Sequence, residues 1–300
     1  MRHILVTGVS GQVGGALVPR LQKLGRVLAA DRRTFDLSLP SGIADALDRL
    51  APDLIINAAA YTDVDRAEDV RDLAFTVNAE SPGLMARWAA NRGVPFVHLS
   101  TDYAFDGSGE RAWRESDPTG PLSVYGASKL AGEKAVQAAP GANLIVRTSW
   151  VYAAEGRNFL RTIARLARER TELRVVDDQV GAPTSAALIG DILSRIVAAD
   201  AAALVSRFAT AKGITHIAAS GCTSWCGFAT AIVDGLRARG RQIKAERVIP
   251  IRTDEYPTKA RRPRNSRLDL SRLSEVFGES PPHWTSALAT QLDHFSFEES

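Results

Sequence analysis

The amino-acid sequence predicts an α/β fold: a doubly wound parallel sheet followed by a smaller C-terminal domain. Two observations carry this. Short Val/Ile/Leu-rich runs alternate with amphipathic segments through the first half of the chain. Strands buried on both faces read as such continuous apolar runs, and their alternation with helices builds a parallel sheet. A glycine-rich loop also follows the first run directly and opens a helical pattern, as at the ligand edge of such sheets.

The strands are expected at 3–6, 27–30, 53–57, 94–99 and 143–147. The intervening helices are expected at 12–24, 41–50, 71–91 and 123–138. The second half is less regular. Helices are expected at 158–170, 186–199, 223–239 and 284–294, with short strands at 173–176 and 215–218. Three prolines, Pro250, Pro257 and Pro263, make residues 248–267 read as ordered loop. The stretch from Asp106 to Pro121 reads as a long loop of the functional or mobile kind. Residues 1–150 are assigned to a dinucleotide-binding unit and 151–300 mainly to a substrate unit, part of which returns to the sheet.

Composition narrows the function. The 300 residues carry 37 Lys and Arg against 34 Asp and Glu, a net charge of +3. That surplus is too small to define a nucleic-acid-binding protein. Two cysteines, Cys222 and Cys226, are too few for a disulfide scaffold. Their spacing lacks the further ligands of a metal site, so they are taken as reduced thiols and no metal is expected. No run reaches the roughly 18 apolar residues of a membrane span, and the N-terminal apolar run is too short for a signal peptide. A cytosolic, membrane-free protein is expected.

The glycine loop runs Gly8-Val9-Ser10-Gly11-Gln12-Val13-Gly14. Its spacing is G-x-x-G-x-x-G rather than the usual G-x-G-x-x-G. Between strand and helix it suits a pyrophosphate, since glycines let the backbone approach and the helix N-terminus offers free N–H groups. Asp31, closing the second strand, suits the adenosine ribose hydroxyls of NAD; Arg32 and Arg33 suit the 2′-phosphate of NADP. Use of both NADPH and NADH is expected, in a Rossmann-type domain.

Tyr125 and Lys129 lie at i, i+4 on one helical face. A nearby ammonium draws a phenol, with its ordinary pKa near 10, toward the working range. Upstream, Ser100-Thr101-Asp102-Tyr103 ends a strand, where a parallel sheet presents its ligands. The Thr101 hydroxyl there can bond a carbonyl oxygen; Ser100 is read as a strand-end cap. Arg261, Arg262, Arg264 and Arg267 fall within seven residues. A solvated basic loop, a nucleic-acid patch and a diphosphate clamp compete there, and the patch lacks interleaved aromatics.

Together, the loop, the strand-end threonine and Tyr125-x3-Lys129 resemble the extended short-chain dehydrogenase/reductase family. Asn57-Ala-Ala-Ala-Tyr-Thr62, Ser100-Thr-Asp-Tyr103, Asn158-Phe159, Asp178-Gln-x-Gly-Ala-Pro-Thr184 and Arg261-Arg-Pro-x-Asn-Ser-Arg-Leu268 narrow the resemblance. They are similar to the dTDP-4-dehydrorhamnose reductase family, from residue 1 to about residue 295.

The resemblance implies reduction of the C4 keto group of dTDP-4-dehydro-β-L-rhamnose to dTDP-β-L-rhamnose by NADPH or NADH, the last step in making that sugar donor. Tyr125 would give the proton, Lys129 would lower its pKa and bond the nicotinamide ribose, and Thr101 would steady the carbonyl oxygen. Gly8, Gly11, Gln12, Val13, Gly14, Asp31, Arg32, Asp36, Leu37, Ala60, Tyr61 and Thr62 would hold the cofactor. Asp102 and Trp150 would meet the sugar, and the arginine cluster, with Arg262 and Asn265, the diphosphate. Trp88, Trp113, Trp225 and Trp284 are read as packing.

Another nucleotide-linked 4-keto sugar as substrate, or a non-catalytic NADP-binding regulatory subunit, are the alternative readings. A dehydratase would need an acidic residue where Tyr103 stands. Some members of the family dimerise through magnesium held by acidic side chains. Ala16 and Ala187 occupy those positions here, and alanine cannot ligate a hard cation. A monomer, or a dimer without bridging magnesium, is expected.

Overall fold

The computed structural model describes residues 1–297. The first half alternates as expected: β1 (His3–Thr7), α1 (Gln12–Leu21), β2 (Arg26–Ala30), α2 (Ile43–Leu50), β3 (Leu54–Asn57), α3 (Arg71–Phe75), α4 (Ser81–Asn91), β4 (Phe96–Thr101), α5 (Val124–Gln137) and β5 (Asn143–Thr148). Then follow β6 (Val151–Tyr152), α6 (Phe159–Glu169), β7 (Glu172–Val176), β8 (Val180–Gly181), β9 (Thr184–Ser185) and α7 (Ala186–Val197). The chain continues through α8 (Ala201–Thr210), β10 (Ile214–His216), β11 (Thr223–Ser224), α9 (Trp225–Ala238), β12 (Arg247–Ile251), α10 (Ser271–Phe277) and α11 (Trp284–Asp293). No helix among the described residues is long and apolar enough to cross a membrane.

Six parallel strands form the main sheet in the order β10-β5-β4-β3-β1-β2. Alternate strand residues feed two apolar layers, as the two-residue period requires. Ile4, Val6, Ile56, Val97 and Val146 face one side with Leu17 and Ile189; Leu5, Ile55, Phe96 and Ile145 face the other with Leu47 and Met85. The chain leaves β1 toward β2 and returns to β3 on the opposite side. A crevice for ligands therefore opens between the C-terminal ends of β1 and β3. β10 brings second-half chain back to the sheet edge beside β5.

Some expectations are corrected. The helix expected over 71–91 is broken by a π-helical turn, Thr76–Glu80, between α3 and α4. Pro82 has no N–H to donate to the carbonyl of Asn78, which favours a break there. The strand expected at 94–99 runs from Phe96 to Thr101, because Pro95 cannot donate to the ladder. Within the expected loop 248–267, Arg247–Ile251 forms β12 on β7, a two-stranded ribbon that tolerates Pro250. The Ala-rich patch 198–203 hides the start of α8, capped by the Asp200 carboxylate accepting from Ala203 N at 2.8 Å.

Candidate active site

The glycine loop lies at the crevice between β1 and β3. Gly8 takes a φ of +69°. A Cβ on Gly8 would stand 2.7 Å from Ala59 Cα, and one on Gly14 would stand 2.2 Å from Gly8 O. Neither position admits a side chain, so strand, loop and α1 close into a tight backbone cradle. Gly11 N donates to Gly8 O at 2.9 Å and fixes the turn. Gln12 Oε1 is buried there without a hydrogen-bond partner among the described residues. An orphaned acceptor beside a bare glycine turn fits a dinucleotide's polar atoms. Val13 is half-buried against the first apolar layer.

At the end of β2, Asp31 accepts from Arg33 N at 3.0 Å and from Arg33 Nε at 3.1 Å. Arg32 leans toward Asp36, 3.6 Å away. Asp36 itself accepts from Ser38 N and Oγ, at 2.8 and 2.7 Å. Leu37, read from the resemblance as lining the cofactor, is 4% exposed and packs into the second apolar layer.

Ala60, Tyr61 and Thr62 follow β3, and the backbone of Tyr61 is held by Asn78, a residue sequence reading passed over. Asn78 Oδ1 accepts from Tyr61 N at 2.8 Å, and Asn78 Nδ2 donates to Tyr61 O at 3.0 Å and Ser128 Oγ at 3.0 Å. Ser128 Oγ donates to Tyr125 O at 2.8 Å. One buried amide thus ties the segment after β3 to the tyrosine helix. The π-turn brings it there, and a Cβ on Gly132 would stand 2.0 Å from Asn78 O. Helix α5 rests directly on that turn.

Ser123 caps α5 by accepting from Gly126 N at 3.2 Å. Tyr125, partly buried in the first turn, packs edge-on against Tyr103, with ring centroids 5.4 Å apart. Its surroundings differ from the expectation. Burial pushes the Tyr125 phenol above its ordinary value, while the Thr101 hydroxyl draws it down and the Asp102 charge raises it further. The Lys129 ammonium instead donates to Leu99 O at 2.6 Å, with Nζ 3.4 Å from His98 Nε2. Burial brings Lys129 down to about 8 against the opposing pull of Glu133.

Thr101 ends β4. Its hydroxyl accepts from Tyr103 N at 3.2 Å and donates to Asp102 Oδ1 at 3.0 Å. Ser100 is not the strand-end cap expected of it: its hydroxyl donates to Glu133 Oε1 at 2.5 Å, beside the buried Arg147–Glu133 pair. Asp102 is 3% exposed, and burial raises its carboxyl to about 6. The Ser266 and Thr101 hydroxyls draw it partly back down, and Oδ2 has no other partner among the described residues.

Trp150 sits at φ +49°, a left-handed conformation that a bulky residue rarely adopts. It stacks on Trp225 with centroids 3.6 Å apart, and a Cβ on Gly181 would strike its ring. Trp225, read from sequence as packing, therefore shares the place of Trp150, with Phe159 tilted against it at 4.5 Å. Its Nε1 donates to Gln179 Oε1 at 3.2 Å.

The arginine cluster divides. Arg262 pairs with Asp65 at 2.6 Å, and Arg267 donates to Glu110 O and to Asn265 Oδ1. Asn265 Nδ2 donates to Arg111 O at 2.7 Å, so this side chain is spent on pinning the 106–121 loop. Arg261 and Arg264 are exposed and have no ion pair among the described residues.

Over residues 1–297 the chain matches the family model described as RmlD substrate binding domain. It is 46% identical over 289 residues to a dTDP-4-dehydrorhamnose reductase of Burkholderia thailandensis, covering 95% of this chain and 96% of that one. It is 41% identical over 299 residues to one of Escherichia coli, covering 97% of each. Among solved structures, a dTDP-4-dehydrorhamnose reductase of Bacillus anthracis in complex with NADP superposes with a TM-score of 0.87 at 31% identity. That match covers 98% of this chain and all of the other. With its cradle, its strand-end Thr101 and its Tyr125–Lys129 helix in place along one edge of the sheet, the chain belongs to the RmlD family.

Proposed function

We propose that the chain reduces the C4 keto group of dTDP-4-dehydro-β-L-rhamnose to give dTDP-β-L-rhamnose, using NADPH or NADH. The observation that carries this reading is the meeting of Thr101 and Tyr125 at the same C-terminal edge of the sheet as the glycine cradle, with Lys129 one turn along α5. The names of the relatives support the substrate.

Gly8, Gly11 and Gly14 would hold the pyrophosphate, and Asp31 and Arg32 the adenosine end. Ala60, Tyr61 and Thr62 would line the nicotinamide side. The bound reduced nicotinamide supplies the hydride. Thr101 and Tyr125 orient the carbonyl oxygen by hydrogen bonds that strengthen as negative charge develops on it. Tyr125 then gives its hydroxyl proton to that oxygen; Lys129, which would bond the nicotinamide ribose and draw the phenol's pKa down, would supply the proton that restores it.

Asp102 Oδ2, which among the described residues has only the Ser266 hydroxyl beside it, would accept from a sugar hydroxyl. The Trp150–Trp225 stack walls the sugar side. Since Arg262 and Asn265 are engaged within the protein, Arg261 and Arg264 are the guanidinium forks available to the diphosphate. Ala16 and Ala187 offer magnesium no oxygen ligand, and the assembly is a monomer or a dimer made without it.

The test is turnover of the 4-keto sugar, generated in place from dTDP-glucose by a dehydratase and an epimerase, with the product's C4 stereochemistry read by NMR. Comparable efficiency with NADH and NADPH is expected; a preference above about a hundredfold would refute dual use.

A further inference from the structure

One buried histidine has no part in the reaction as proposed. His98 lies in the middle of β4 at 0% exposure, in a hydrogen-bonded line that runs from the glycine loop to the lysine. Thr7 Oγ1 accepts from Ala59 N at 3.4 Å and donates to Asn57 Oδ1 at 2.6 Å. Asn57 Nδ2 lies 3.1 Å from His98 Nδ1, and His98 Nε2 lies 3.4 Å from Lys129 Nζ.

The line has a direction. Thr7 accepts from Ala59 N–H and gives its one proton to Asn57 Oδ1, the amide oxygen that faces it. That leaves the Asn57 amide N–H to donate to His98 Nδ1, which must therefore be bare. The single proton of a neutral imidazole then sits on Nε2, aimed at Lys129. An ammonium has nothing with which to accept it; a neutral amine has one lone pair.

We propose that His98 is a positioning residue that holds the neutral amine of Lys129 in place after the lysine has given up its proton. The proposal rests on the reductase reading. The proton leaves Lys129 Nζ and joins the Tyr125 phenolate oxygen. The vacated lone pair on Nζ then accepts from His98 Nε2–H. No bond of the imidazole breaks, and the ring stays neutral throughout.

Burial and the nearby lysine both hold the His98 imidazole well below its ordinary value, which keeps it neutral. From α5, Glu133 pulls the other way and favours the ammonium, but that carboxylate is shared with Arg147 and Ser100. Tyr125 stands on the same helix. From β4 the lysine faces Leu99 O and His98; Thr7 and Asn57 are uncharged. Lys129 therefore sits between a carboxylate that stabilises its charge and an N–H that stabilises its loss.

The experiment is ¹⁵N NMR of the histidine side chains in the intact protein, which has five histidines. The His98 signals are identified by their loss in His98→Gln. The expected result is a protonated Nε2 and a bare Nδ1, with the ring still neutral at the ordinary histidine midpoint near 6.5. The Nε2 signal should move as Lys129 titrates near pH 8, and that movement should vanish in Lys129→Met. A proton on Nδ1, or an Nε2 signal indifferent to Lys129→Met, overturns the proposal.

The kinetic counterpart is His98→Leu. The basic limb of its kcat/KM profile should rise by about one pH unit, so about fivefold more of the plateau survives one unit above the wild-type limb. Its cofactor Kd should stay within about twofold. A limb that stays or falls contradicts the proposal. The NMR arm needs no sugar and no variant that must remain active. A failure of the reductase reading would show as absent wild-type turnover with the NMR result standing.

Discussion

Asp102→Asn should make the protein more stable and less active, with a pH dependence that identifies the cause. The folded state holds this carboxyl at about 6, against an ordinary value of 3.8, because burial disfavours its charge. A group whose pKa is raised on folding binds its proton more tightly in the folded state. Stability is therefore lost as pH rises from the unfolded value through the folded one. The difference of about two units corresponds to roughly 3 kcal/mol, fully present above pH 6. At pH 4.5 the same two values leave a penalty of only about 1 kcal/mol.

Asparagine keeps the oxygen that accepts from Thr101 Oγ1 and places an amide N–H where Oδ2 now stands, facing a Ser266 hydroxyl that can accept from it. It carries no charge to desolvate. The variant should gain roughly 3 kcal/mol at pH 8 and about 1 kcal/mol at pH 4.5. With an unfolding entropy of about 2.1 cal/mol/K per residue, the gain at pH 8 is about 5 °C in Tm. Thermal and urea unfolding at both pH values measure it. A gain of equal size at the two pH values, or none at pH 8, would refute the reasoning. Turnover should fall by roughly tenfold to a hundredfold, the cost of one hydrogen bond from a sugar hydroxyl to a charged acceptor.

Glu133→Ala strands the Arg147 guanidinium, 4% exposed in its side chain, and should cost about 3–5 kcal/mol in urea denaturation; a loss under about 1 kcal/mol would contradict the burial argument. Gly132→Ala forces α5 away from the Asn78 carbonyl and should lower stability by about 1–3 kcal/mol, together with kcat, while an unaltered Tm would show that the helix can shift freely. Sedimentation should give the same mass with magnesium or a chelator, and a dimer that dissociates in chelator would refute the account of Ala16 and Ala187.

The sheet was legible in sequence because strands covered on both faces carry unbroken apolar runs, such as Leu54–Ile56. The glycine cradle was legible because the backbone itself excludes side chains at Gly8 and Gly14. Tyr125 and Lys129 stand out in the sequence by their spacing, and Thr101 by its place at a strand end. Features set by tertiary contact were not legible. The two-residue strands β6, β8, β9 and β11 are too short to show a period. Trp225 looked like packing until Trp150, 75 positions away, was seen stacked on it. Asn78 carries no motif of its own, and the π-turn alone carries it to Tyr61. The helical period put Lys129 on the face of Tyr125, but which carbonyl its long side chain would reach depends on β4.

The most direct test of the central claim is oxidation of NADPH by the purified protein with the 4-keto sugar, beside Tyr125→Phe. The account predicts turnover in the wild type and a loss of at least roughly a hundredfold in the variant, whose cofactor still binds. Full turnover in Tyr125→Phe would remove the tyrosine from the chemistry. No turnover in a wild-type protein that binds NADPH tightly would contradict the reductase itself.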